Sequence, residues 1–124
     1  MKQTFYICHH CGNIVAMIRD QGVPIVCCGE KMEPILPGKT EASTEKHLPM
    51  YEIRDQLVFV TVGSAEHPMT KDHFIEWICL ETEQGIQYAY LEPEDAPKAQ
   101  FALCPGDRVR AVYAFCNQHD LWRN

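Results

Sequence analysis

Cys116-Asn117-Gln118-His119, taken with His47, His67 and His73, sets one thiolate and four imidazoles in a chain of 124 residues. Both ligand types bind iron, zinc and copper, and a Cys-x-x-His spacing lets a single loop supply two of them. Five candidate ligands exceed the four of a closed tetrahedral zinc site, which points to a larger coordination number and so to iron. Neutral imidazoles add no charge and the thiolate adds a single negative, so a ferrous ion there keeps about one net positive charge. A small anion is drawn to that charge. Five protein ligands leave a sixth octahedral position open to it, and an electron-rich sulfur among them helps a ferrous ion give up an electron.

A second metal signature precedes the first in the chain. Cys8-His9-His10-Cys11 is followed after fifteen residues by the adjacent pair Cys27-Cys28. Four thiolates in so short a segment read as a tetrathiolate site for iron or zinc. The two-residue gap lets a tight turn aim Cys8 and Cys11 at one ion, and Gly12 and Gly29 allow the backbone such turns need. Neighbouring side chains in an extended chain point opposite ways, so Cys27-Cys28 predicts a kinked backbone.

Each feature has a plainer explanation. The cysteines could form a disulfide framework, but Met1-Lys2-Gln3-Thr4 leads into Phe5-Tyr6-Ile7-Cys8 without an apolar signal core, and the total of seven is odd. A reducing cytoplasm is the expected compartment. His9 and His10 read as exposed polar residues, because four sulfurs already complete the shell. Cys79 and Cys104 read as buried free thiols. Trp77, Trp122 and the tyrosines read as core or interface residues, not redox relays. By itself, Glu45-Lys46 is an ordinary solvated pair in a polar loop.

The elements that must position these groups are almost all β. With 46% hydrophobic and 23% charged residues, the chain reads as a globular protein with one modest core and a metal-stapled appendage. A net charge of −6 argues against nucleic acid, and no stretch approaches the roughly twenty apolar residues of a membrane span. Residues 1–36 carry the tetrathiolate, with strand-like runs at Thr4–Ile7 and Asn13–Ile18; so small a segment needs its metal to fold. Pro34-Ile35-Leu36-Pro37-Gly38 breaks regular structure, and residues 37–124 form the second part. There the runs 57–62, 74–80, 86–91, 100–103 and 109–115 are rich in branched and aromatic residues, with Gly, Pro, Asp and Ser between them. The spacing predicts a small antiparallel sandwich.

The ordered motifs Cys8-x-x-Cys11, Cys27-Cys28, Glu45-Lys46-His47-Leu48-Pro49, His67-Pro68-Met69, His73 before Ile75-Glu76-Trp77, and Cys116-Asn117-Gln118-His119 resemble desulfoferrodoxin, the two-iron form of superoxide reductase. The resemblance covers nearly the whole chain. It implies a desulforedoxin-like amino-terminal domain, an immunoglobulin-like β-sandwich carrying the active iron, and a homodimer. The first iron would sit on Cys8, Cys11, Cys27 and Cys28. The second would sit on His47, His67, His73 and His119 in a plane, with Cys116 axial. Lys46 would steer superoxide in and order a water that supplies a proton, and Glu45 would take the sixth position when the iron is ferric. Both would need a mobile loop, which Gly38, Ala42, Ser43 and Thr44 permit.

The function implied is one-electron reduction of superoxide to hydrogen peroxide, with a rubredoxin-like protein restoring the electron. The tetrathiolate iron would either relay that electron or act structurally. Two other classes stay open: an electron carrier using only the tetrathiolate iron, and a colourless structural module with zinc in both sites. A dismutase is disfavoured, because an electron-donating thiolate opposes the oxidising half of dismutation.

Overall fold

The backbone changes character at Leu36. In the computed structural model, which describes residues 2–124, the segment up to Leu36 forms one unit and Pro37–Asn124 forms another.

In the first unit, β1 (Thr4–Ile7) lies between β2 (Ile14–Met17) and β5 (Glu33–Pro34), and β3 (Val26–Cys27) pairs with β4 (Glu30–Lys31), all antiparallel. Its buried apolar residues are Phe5, Cys8, Met32 and Ile35, whereas Ile18 is 93% exposed and Val23 73%. Burial on that scale does not offset the entropy of ordering the segment, so the cysteine cluster must supply the rest. Both cysteine turns use left-handed backbone. Gly12 at φ +85° closes the first by donating its N–H to the Cys8 carbonyl at 2.8 Å. Cys28 at φ +55° and Gly29 at φ +76° form the second, which is the kink that adjacent cysteines require.

The second unit opens with a single helical turn, α1 (Thr44–His47), and continues through seven strands: β6 (Pro49–Arg54), β7 (Leu57–Val62), β8 (Ile75–Thr82), β9 (Ile86–Tyr90), β10 (Lys98–Ala102), β11 (Val109–Cys116) and β12 (Asp120–Arg123). One antiparallel sheet has the order β10-β7-β6 and the other β12-β11-β8-β9. Strand β7, expected from its branched and aromatic residues, alternates in burial, with Val58, Val60 and Val62 fully buried. They meet Ile75, Ile78 and Leu80 of β8, Val112, Ala114 and Cys116 of β11, and Phe101 and Leu103 at the end of β10. Two packed sheets of three and four strands give the expected immunoglobulin-like sandwich. Trp122 is buried, and Trp77 stacks on Phe115 with ring centroids 5.4 Å apart.

Four local features depart from expectation. Strand β6 starts at a proline and has exposed side chains along an edge, so its sequence carries no strand alternation. Strand β12 is a four-residue return after a tight hairpin. Glu45 and Lys46, expected on a mobile loop, lie within α1. Cys104 is exposed, unlike Cys79, because it opens the Cys104-Pro105-Gly106-Asp107 surface turn, closed by the Asp107 N–H on the Cys104 carbonyl at 3.0 Å.

Candidate metal centres

The four histidines come from three places on the sandwich and converge. His47 ends α1, His67 lies in the connection from β7 to β8, His73 shortly precedes β8, and His119 sits in the β11–β12 hairpin. Ring centroids trace a four-sided figure: His47–His67 4.6 Å, His67–His73 4.8 Å, His73–His119 5.1 Å and His119–His47 4.9 Å. The His47–His73 diagonal is 6.3 Å, and adjacent rings stand at 75° to 86° to one another. Ligand atoms of His47, His67, His73 and Cys116 all lie within 4.8 Å of one another. His119 turns its Nδ1 inward, 3.1 Å from His47 Nε2 and 3.9 Å from Cys116 Sγ.

These donors fit a cation. His47 Nε2 is 3.2 Å from His67 Nε2; nitrogens at right angles around an ion, each about 2.1 Å from it, lie about 3.0 Å apart. The opposite nitrogens, Nδ1 of His47 and of His67, donate to the carbonyls of Ser43 at 2.7 Å and Pro68 at 2.6 Å, which leaves each Nε2 lone pair facing the centre. His73 Nε2 is buried with no hydrogen-bond partner, as expected for a lone pair reserved for metal. Burial lowers the pKa of His47 and His73 and takes that of His67 down to about 4, so these imidazoles are neutral and ligand-ready at neutral pH. Burial raises the Cys116 thiol, while the N–H groups of Gln118 and His119 oppose that shift. A neighbouring cation favours the thiolate outright.

Local backbone irregularities aim these side chains. The β8–β11 register slips between Phe115 and Cys116, so that Phe115 faces Trp77 while Cys116 faces Ile75. Such a slip re-aims the last residue of the strand. Cys116 then pairs with Asp120, leaving the three-residue loop Asn117-Gln118-His119, closed by Asp120 at φ +59°. The Cys-x-x-His spacing is therefore the spacing of a hairpin. Asn117, a site residue missed in the sequence, brackets His73: its carboxamide donates to the Asp72 carbonyl at 3.1 Å and accepts the Phe74 N–H at 3.0 Å. Gln118 adds a bond to the Asp72 carbonyl at 2.7 Å. The Trp122 indole N–H holds the His119 carbonyl at 3.0 Å, and its ring lies 5.0 Å from that of His47. The only sequence signal for these partners is their position beside a ligand.

Lys46 and Glu45 are exposed beside this cluster. The Lys46 charge is close enough to act on both His47 and His73, lowering each. The Glu45 carbonyl accepts the Ala65 N–H at 3.0 Å and the Ser64 hydroxyl at 3.3 Å, so the backbone of this turn is fastened to the segment after β7. Gly63 permits the approach: a Cβ there would stand 2.5 Å from the Glu45 carbonyl oxygen and 3.0 Å from that of Leu48. Both obstacles are backbone. Gly63→Ala is accordingly expected to cost about 1–3 kcal/mol, as overpacking does, and to loosen the metal held next to His47. A chelator competition assay and thermal unfolding should show both losses together, and an unchanged variant would contradict the close packing.

In the first unit, Cys8, Cys11, Cys27 and Cys28 bring their sulfurs within 4.8 Å of one another, with Cys11 Sγ 3.7 Å from Cys27 Sγ. Tetrahedral sulfurs about 2.3 Å from an ion lie about 3.8 Å apart, so this set also fits. Backbone N–H groups, that of Cys11 foremost, draw the Cys8 thiol down to about 6. Neighbouring cysteines push Cys27 up and Cys28 up to about 12. The four sulfurs can ionise together only around a cation. His9 and His10 are exposed and face Glu33 and Glu30, each at 3.0 Å, outside the sulfur shell.

Comparison with known proteins follows the same division. The desulfoferrodoxin amino-terminal domain model matches residues 1–35 and the desulfoferrodoxin model residues 39–124. A desulfoferrodoxin of Nitratidesulfovibrio vulgaris is 43% identical over 123 residues, 98% of this chain and 95% of its own length. A desulfoferrodoxin homolog of Archaeoglobus fulgidus is 40% identical over 119 residues, 96% of this chain and 94% of its own. The crystal structure of the superoxide reductase from Treponema pallidum superposes with a TM-score of 0.85 at 35% identity, covering 100% of this chain and 99% of that one. Likeness of this degree, running through both units and both ligand clusters, makes the chain a member of the desulfoferrodoxin family.

Proposed function

We propose that the protein is a superoxide reductase with iron in both sites: Cys8, Cys11, Cys27 and Cys28 hold one, and His47, His67, His73, His119 and Cys116 the other. The observation that carries this reading is the square of four imidazoles with a buried cysteine among them, a donor set of five that exceeds what zinc uses. When bound there, iron supplies the single electron that, with two protons, turns superoxide into hydrogen peroxide. The chain does the rest. His47, His67, His73 and His119 hold the ion without adding charge, and the Cys116 thiolate adds electron density that favours donation. Lys46 attracts the anion and orders a proton-donating water, and Glu45, whose carbonyl is tied to Ser64 and Ala65, would ligate the iron in its ferric state.

An external one-electron donor of the rubredoxin class restores the electron after each turnover. Support for that donor, and for a homodimer, comes from family membership; exposed Met50, Tyr51 and Ile53 on the edge strand β6 add apolar surface suited to a second copy. A cytoplasmic location fits the reduced state that the ligand cysteines need. No helix among the described residues is long and apolar enough to cross a membrane.

Steering is testable at one residue. Lys46→Met should slow the bimolecular reaction of reduced protein with superoxide by about tenfold or more at low ionic strength, and should flatten its salt dependence. Stopped-flow or pulsed superoxide generation measures both. An unchanged rate and salt slope would remove Lys46 from the reaction.

A further inference from the structure

Asn13 touches three of the four cysteines of the first unit. Its backbone N–H points at Cys11 Sγ at 3.5 Å, its carboxamide N–H at Cys27 Sγ at 3.8 Å, and its carbonyl accepts the Cys8 N–H at 2.9 Å. Any residue at this position could offer the backbone groups. The carboxamide is particular to asparagine, whose short side chain leaves the turn just before β2 and reaches across to the opposite cysteine pair.

A donor aimed at a ligating sulfur matters to the redox equilibrium. Four thiolates around ferric iron carry a net charge of about −1, and around ferrous iron about −2. An N–H directed at sulfur stabilises the more negative state more strongly, so hydrogen bonds to thiolate raise the reduction potential. Two neighbouring polar side chains are turned elsewhere, since His9 and His10 are engaged with Glu33 and Glu30.

We propose that the Asn13 carboxamide sets the reduction potential of the tetrathiolate iron, holding it above the value that the four sulfurs and their backbone donors alone would give. It thereby controls which one-electron donors and acceptors can exchange with this site. The inference rests on iron occupying the cluster and is independent of superoxide chemistry at the other centre.

The test is a redox titration of the full-length, iron-loaded protein, following the ferric thiolate absorption of the tetrathiolate site. Asn13→Leu should raise the ferric-to-ferrous ratio at the unmodified protein's midpoint about tenfold, equivalent to about 59 mV for a one-electron couple. Asn13→Asp, which removes the donor and adds a negative charge, should move it further the same way. The midpoint of the histidine-ligated site should not move. In the unmodified sequence reconstituted with cadmium-113, a scalar coupling between the Asn13 carboxamide protons and the metal should be visible by NMR, a readout that needs no variant. An intact ferric thiolate band with the same midpoint in Asn13→Leu, or no coupling from that carboxamide, would overturn the inference. An unmodified protein with no reducible band at this site would instead remove the iron reading on which it rests.

Discussion

Cys116→Ser is expected to leave a folded protein that lacks the thiolate absorption of the second site and has lost about a hundredfold or more of its reactivity with superoxide. Partners that merely orient a metal ligand are typically worth about 10–100-fold, so a ligand that also governs electron density should cost at least as much. The exchange of sulfur for oxygen is small in volume. Cys116 is fully buried at the end of β11, in a core whose other members, Val58, Val60, Val62, Ile75, Ile78 and Leu80 among them, also pack on one another. A neutral hydroxyl replaces the electron-rich donor, and the four imidazoles alone favour the ferrous state without the push that lets it react. Circular dichroism should match the unmodified protein, while absorption and stopped-flow traces should not. Reactivity within a factor of about two of the original would show that the thiolate is dispensable.

Removing the metals should separate the two units. Under reducing conditions and a strong chelator, the segment up to Leu36 is expected to unfold, because structural metal sites of this kind contribute an apparent ~10 kcal/mol or more, on the order of the whole stability of a domain. Phe5, Cys8, Met32 and Ile35 cannot replace that contribution. The second unit keeps its two-sheet core. Amide hydrogen exchange distinguishes the outcomes: protection of Tyr6 and Ile7 in β1, and of their partners Val15 and Ile14, should vanish, while that of Val60 in β7 and Val112 in β11 persists. Retained protection in β1 would mean that the first unit has a core independent of its cysteines.

The ligands themselves were legible in the sequence because metal chemistry restricts residue type and spacing so tightly. Cys8-x-x-Cys11 and Cys27-Cys28 could be paired, and adjacency predicts the kink that the fold makes with left-handed backbone at Cys28. Strand β7 was legible because Leu57–Val62 is a run of branched and aromatic residues. What could not be read depends on contacts distant in the chain. The turn α1 has only four residues and no amphipathic pattern; it is held by the Glu45 carbonyl on Ser64 and Ala65 and by the space left at Gly63. Strand β6 is an exposed edge, and β12 exists because a three-residue hairpin returns the chain. Asn117 and Asn13 act through carboxamides whose partners, Asp72, Phe74 and Cys27, are fixed only by the fold. Cys104 shows the converse: an apolar residue type carried to the surface by a Pro-Gly turn.

Product stoichiometry tests the central claim most directly. Pre-reduced, oxygen-free protein is mixed rapidly with superoxide while peroxide, dioxygen and the ferric thiolate band are followed together. One peroxide formed per superoxide consumed, no dioxygen, and the band rising in step with superoxide loss are the predicted result. Dioxygen released alongside peroxide would mean dismutation, and superoxide lost no faster than in buffer would contradict the reductase assignment altogether.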